Sequence, residues 1–232
     1  GLTSDGGIGR GTIFSIDGSN TYTKIYDFMG QPTDGAFPYG DLVEDVANGI
    51  LYGMTNKGGL NNEGTIFKYD LNTNTYYPTI YEFKSTNLFD GYYPHDSLLY
   101  LDASMGYTIN GALIGTTERS TSGYGSIFLF DTNSNTILNF HNFLGATGEG
   151  KTPFGNLVWD SVNHYFYGMT SEGGQYGLGT IFKIQDDLNG GATVLFDFQG
   201  PTTGANPRGT LLMASDGKLY GTTGNDPLNP SN

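Results

Sequence analysis

Apolar and polar residues alternate along this chain in short runs bounded by Gly, Asn or Pro. The same set of runs returns at intervals of 53 to 61 residues. Residues 38 to 84 hold one set: Pro38 to Asp45, Ile50 to Thr55, Gly64 to Asp70 and Thr79 to Lys84. Each is rich in Ile, Tyr, Phe, Thr or Val, which predicts short strands. No stretch combines a helical period with helix caps, so the pattern predicts an all-β protein.

Two motifs mark the period. Gly-Thr/Ser-Ile-Phe begins at Gly11, Gly64, Gly125 and Gly179. A second motif reads Leu51-Tyr52-Gly53-Met54-Thr55, Leu113-Ile114-Gly115-Thr116-Thr117, Phe166-Tyr167-Gly168-Met169-Thr170 and Leu219-Tyr220-Gly221-Thr222-Thr223. The run that begins with Gly-Thr/Ser-Ile-Phe ends in Asp- and Asn-rich hairpins at residues 17–21, 70–75 and 131–136. Asp and Asn side chains bond to nearby amides and tolerate left-handed backbone, so these are turns. Four antiparallel strands per repeat predict the blades of a β-propeller.

The strand order is similar to that of NHL-type propeller repeats, in which a Pro-x-Gly run is innermost. On that basis Pro38, Pro94, Pro153 and Pro207 open inner strands. Phe28, Phe83, Phe143 and Phe198 close outer ones. Blades are expected at 38–84, 94–143 and 153–198, partial blades at 1–28 and 207–223, and a tail at 224–232. Gly1-Leu2-Thr3 matches Gly53-Met54-Thr55, so the chain is expected to be a slice of a larger ring. The alternative is a closed four-bladed propeller in which the terminal pieces combine. Residue 1 is Gly and no leader segment is evident, so a processed or excised piece is expected.

Leu51-Tyr-Gly-Met-Thr-Asn-Lys-Gly-Gly59 followed by Gly64-Thr-Ile-Phe-Lys68, and its recurrence from Phe166 to Lys183, resemble the "choice-of-anchor tandem repeat GloVer-containing" proteins. These are exported bacterial repeat proteins. The second copy departs from the pattern, with Glu118-Arg119-Ser120-Thr121 for the Gly pair and Ser126 for Thr. The resemblance implies a secreted or cell-surface setting, with flanking blades or an anchor domain. It implies no catalytic residues.

Composition narrows the function. Ten basic against 23 acidic residues give a net charge of −13, which opposes nucleic-acid binding and docking on anionic membranes. No apolar run approaches a membrane span. The absence of cysteine excludes disulfides, thiolate catalysis and Cys-ligated metals. Gly (37 residues), Tyr (17) and Phe (15) suit turns and pleated faces.

Most candidate chemistry reduces to architecture. Asp70-x-Asn72-x-Asn74 and Asp131-x-Asn133-x-Asn135 begin like calcium loops, but lack the Gly and the bidentate Glu that an EF-hand needs. Gly-rich loops at 4–11, 56–64 and 171–179 lead into strands rather than a phosphate-binding helix. His95, His141 and His164 show no metal-ligand spacing. No metal or cofactor is expected. Asp34, Asp90 and Glu149 each stand before a Gly ahead of an inner-strand Pro, where the last copy has Thr203. A turn role is favoured over a catalytic one for them. Trp159, the single Trp, is expected between blades.

The longest connections, 56–63, 84–93, 118–124, 144–152 and 171–178, are expected on one face. Rigid scaffolds commonly bind through such loops. Ligand-binding candidates there are Tyr39, Asp90, Tyr92, Tyr93, Arg119, Tyr124, Glu149 and Tyr176. Phe154 is a further aromatic beside an inner-strand Pro. The second copy carries two insertions: Ser85 to Tyr93 on the long-loop side, and Met105 to Gly111 on the other. The leading expectation is a non-enzymatic exported module for display, adhesion or recognition of a protein or glycan. A carbohydrate-active hydrolase or lyase and a purely structural spacer are the alternatives.

Overall fold

A computed structural model describes residues 1–87, 91–103, 106–145 and 148–224. The first sheet holds β1 (Leu2–Thr3), β2 (Thr12–Ile16) and β3 (Tyr22–Asp27) in that order. β4 (Gly35–Ala36) leads to the second sheet, formed by β5 (Val43–Asp45), β6 (Ile50–Thr55), β8 (Thr65–Asp70) and β9 (Thr75–Glu82), and pairs with β7 (Lys57–Gly58). In the third, β10 (Tyr92–Pro94) and β11 (Leu99–Leu101) both pair with β12 (Ala112–Arg119), followed by β13 (Ser126–Asp131) and β14 (Thr136–Asn142). The fourth runs β15 (Gly150–Asp160), β16 (Tyr165–Gly173), β17 (Thr180–Gln185) and β18 (Thr193–Asp197). β19 (Leu212–Met213) and β20 (Leu219–Tyr220) form the fifth.

The fold is all-β and propeller-like. Antiparallel sheets pack face to face in sequence order, with equivalent inner-strand residues touching from one sheet to the next. The first and fifth sheets are separate among the described residues. The arc is therefore open rather than a closed four-bladed ring. Among the described residues, no helix is long and apolar enough to cross a membrane.

The motifs are explained by contacts made once per repeat. A Cβ at Gly115 or Gly168 would collide with Phe128 or Phe182 on one side and Leu98 or Leu157 on the other. Gly53 sits likewise against Phe67. The motif Thr bonds across to the next strand: Thr55 to Thr65 at 2.9 Å, Thr117 to Ser126 at 2.6 Å and Thr170 to Thr180 at 2.8 Å. Ser126 thus preserves the bond although it departs from Thr. The Gly that opens Gly-Thr/Ser-Ile-Phe has positive φ in all four copies, from +87° to +103°. A Cβ there would strike the ring of Pro38, Pro94, Pro153 or Pro207 in the following repeat.

Aromatic packing joins the sheets. Phe28 meets Phe67, Phe83 meets Phe128 and Phe143 meets Phe182, each pair edge-on with centroids 5.2 Å apart. These rings are at most 1% exposed. Such a pair contributes about 0.5–1.5 kcal/mol beyond its area burial. Trp159 packs against the cluster formed by the third and fourth sheets, with Tyr107 edge-on at 5.4 Å.

The hairpins are Asx turns. Asp131 Oδ1 accepts the Asn133 amide at 2.9 Å, and Asp70 Oδ1 accepts those of Asn72 and Thr73 at 2.8 and 3.1 Å. Asn74 and Asn135 adopt positive φ. The carboxylates that resemble calcium ligands are thereby used by the backbone.

Candidate functional site

Each inner strand breaks just after its Pro. In the fourth sheet Phe154 faces Met169 and Val158 faces Tyr167, so 155–157 bulge opposite Gly168 alone. In the third, 95–98 separate Pro94, which faces Thr117, from Leu99, which faces Ile114. The bulge recurs because the residue before each Pro is left-handed: Phe37, Tyr93, Thr152 and Asn206 have φ of 57°, 60°, 56° and 48°. Each donates its amide to the preceding repeat, to the carbonyls of Arg10, Glu63, Tyr124 and Leu178 at 2.8–2.9 Å. Residues before Pro disfavour helical backbone, and a bulky side chain disfavours positive φ, so the neighbouring sheet must fix this turn.

The bulges meet at the inner edge of the arc. The Asp41 amide donates to Ser97 Oγ at 2.7 Å, the Ser97 amide to Asn156 Oδ1 at 2.9 Å, and the Asn156 amide to Thr210 Oγ1 at 3.0 Å. These four residues occupy the same position in successive repeats. Gly40 packs on the Asp96–Ser97 peptide and Gly155 on the Gly209–Thr210 peptide, leaving no space for a side chain.

The residue after each Pro builds a second row above this ladder. Tyr39 stacks on His95 at 4.7 Å and 18°. His95 leans on Phe154 at 4.5 Å, and the Arg208 guanidinium lies 5.4 Å from the Phe154 ring centre. One residue from each of four repeats thus forms a ribbon of phenol, imidazole, phenyl and guanidinium. Its ends, Tyr39 and Arg208, are exposed; His95 and Phe154 are half-buried. Asn56 Nδ2 donates to the Pro94 carbonyl at 3.1 Å and Ser171 Oγ to that of Thr152, also at 3.1 Å. The ribbon therefore adjoins the long loops.

Asp96 departs from Gly at the next position. Its carboxylate Oδ2 is buried with no hydrogen-bond partner among the described residues, and its Oδ1 lies 3.5 Å from His95 Nδ1. The ribbon thus carries aromatic faces, one fixed cation and carboxylates at Asp41 and Asp96.

Over residues 1–109 and again over 103–230, the sequence matches the Gloeobacter/Verrucomicrobia repeat. The chain belongs to this repeat family. The GloVer repeats therefore run through both halves, and the motif contacts above are properties of the repeat. The chain is also similar to the crystal structure of TolB from Acinetobacter baumannii, with 16% identity and a TM-score of 0.49. That similarity covers 92% of this chain and 43% of the TolB chain, so the chain spans less than half that length. No curated protein matches it.

Within this GloVer chain the loop candidates fall into separate places. Tyr39 alone of them enters the ribbon. Tyr92 pairs with Arg119 across β10 and β12, and its ring meets Tyr93 at 4.9 Å. Lys57 Nζ lies 3.3 Å from the Tyr93 ring centre, and Arg119 Nε 3.8 Å from Glu118 Oε1. Tyr124 packs on Gly145, with Lys151 Nζ at 5.9 Å. Tyr176 is 49% exposed in its loop. Asp90 lies outside the described residues.

Glu149 closes a turn. Its Oε2 accepts the Leu144 amide and its Oε1 meets His141 Nε2, both at 2.8 Å. Asp34 does the same for Met29 at 2.6 Å and also accepts Gly35 N, Tyr26 Oη and Tyr76 Oη at 2.7–3.0 Å. Burial, and then the Asp34 charge, push the pKa of both phenols above the ordinary tyrosine value. Thr203 Oγ1 replaces the carboxylate in the last repeat, accepting the Gln199 amide at 2.7 Å.

Sequence reasoning singled out Tyr39 and Phe154 but did not join them to His95 and Arg208. The signal was available in the position after each inner-strand Pro, where the repeats place four different residues on one fixed backbone.

Proposed function

We propose that this chain is a non-enzymatic recognition module of an exported bacterial surface protein, and that its ligand rests on the ribbon of Tyr39, His95, Phe154 and Arg208. One observation carries the reading: the repeat holds the backbone constant in four copies while the side chain after each Pro changes identity. Folding requires the Gly, Thr and Phe of the motifs, but it does not require this set. Aromatic faces suit the C–H faces of a sugar or the apolar side chains of a protein. Arg208 and the neighbouring carboxylates supply hydrogen bonds. Rigid anchors of this kind dominate binding surfaces.

The test compares the native chain with Tyr39→Ala and Phe154→Ala on a glycan array and in pull-downs from cell-envelope extracts. Loss of an anchor costs about 2 kcal/mol, roughly 30-fold in affinity. A blank array together with blank pull-downs, or ligands indifferent to both substitutions, would sink the proposal.

A further inference from the structure

A second site lies away from the ribbon, on the side opposite the long loops. The insertion ahead of β12 reaches the fourth sheet there. Tyr107, 5% exposed, donates its hydroxyl to the Asp186 carbonyl at 2.9 Å and packs edge-on against Trp159. Beside it opens a cleft of about 260 Å³. Leu129, Ile109 and Leu138 supply its apolar surface, and Asp186, Asp187 and His164 its polar end. Two of these walls depart from the repeat: the insertion is peculiar to the second copy, and the hairpin after Gln185 is longer than those at 70–75 and 131–136.

We infer that the cleft receives a single lysine or arginine side chain of a partner protein. Charge complementarity chooses the occupant. Two carboxylates line the cleft, and no lysine or arginine is among its described lining residues. Asp186 Oδ2 lies 2.9 Å from His164 Nδ1, and the Asp187 carboxylate accepts both the amide and the side-chain nitrogen of Asn189. Both carboxylates are thus held in place at one end of an apolar trough. Burial, followed by the charges of Asp186 and Asp187, raises the pKa of Tyr107, as a negative field requires. The volume lies below the roughly 300–1,000 Å³ of a drug-sized ligand site and suits one long side chain. A basic side chain lays its methylenes on Leu129, Ile109 and Leu138 and keeps its charged head at the carboxylates.

The experiment titrates the folded chain with Nα-acetyl-arginine amide and Nα-acetyl-lysine amide, following backbone amide shifts by NMR. Nα-acetyl-norleucine amide and Nα-acetyl-citrulline amide serve as neutral controls. Saturable millimolar shifts at Ile109, Leu129, His164 and Asn189 are expected for the cationic probes only. The Asp186→Asn/Asp187→Asn double variant should weaken them at least tenfold. Leu138→Lys, at a position 45% exposed and so compatible with folding, should remove them by placing a cation in the trough. Equal binding of norleucine, unsaturable shifts, or binding unchanged by Leu138→Lys overturns the inference. These outcomes are independent of the ribbon.

Discussion

Gly125→Ala should destabilise the protein more than Gly123→Ala, although φ is +87° at the first and +86° at the second. A Cβ at Gly123 meets nothing within 4 Å, so only the cost of left-handed backbone applies, about 1–3 kcal/mol. At Gly125 the same atom would stand 2.5 Å from Pro153 Cδ and 2.6 Å from the Thr117 carbonyl oxygen. Neither neighbour is the free end of a flexible side chain. Overpacking adds about 1–3 kcal/mol. The difference between the variants isolates the crowding at Gly125, because the backbone term cancels; that crowding is shared between Pro153 of the next repeat and the Thr117 carbonyl of its own sheet. Urea unfolding followed by Trp159 fluorescence reports it, since this single Trp lies in β15, which begins just before Pro153. Repeat arrays can open unit by unit, so amide exchange in β13 and β15 should accompany the melts. In a Pro153→Ala background the penalty at Gly125 should shrink by about 0.5 kcal/mol or more. Equal penalties at both glycines, or a penalty at Gly125 untouched by loss of the Pro ring, would refute the argument that the next repeat imposes this Gly.

Asp34→Ala strands four donors in a site 2% exposed and should cost about 2–4 kcal/mol, measured by thermal unfolding at neutral pH. Tyr26 and Tyr76 should ionise above the ordinary tyrosine range of about 10. Their contribution is full below that pH and fades as pH rises through the folded values. Ultraviolet titration should show both midpoints fall in Asp34→Ala, and unchanged midpoints would contradict the contact. The hydrogen bonds of their turns hold Asp17, Asp131 and Asp160 below the usual carboxylate range. Their stabilisation is present above about pH 4 and is lost as pH falls through the lower folded values. Carboxyl carbon shifts followed by NMR at acid pH should give those midpoints, and ordinary ones would dismiss the effect.

The legible part of the fold was the part that recurs. Gly53, Thr55, Gly64 and Phe67 can be read as structural because each has counterparts at a fixed period, and each makes one repeated contact. The turn role of Asp34 and Glu149 was legible too, from the Thr203 that replaces them. The ribbon was only half legible. Tyr39 and Phe154 stand out as aromatics beside Pro, whereas His95 and Arg208 belong to other residue classes and join them only when the sheets meet.

By itself the sequence determined the strand content, the repeat and the family, because alternation, turn residues and motif spacing are local properties of the chain. Tertiary structure decided which departures from the repeat come together. The bulge after each Pro forms only against the preceding sheet, which holds the left-handed residue before the Pro through its carbonyl. Tyr39 and Arg208, 169 positions apart, consequently end one continuous row. The insertion at Tyr107 likewise meets Asp186 across two sheets, and no spacing rule connects them. Long-range proximity in this fold is set by how the sheets pack.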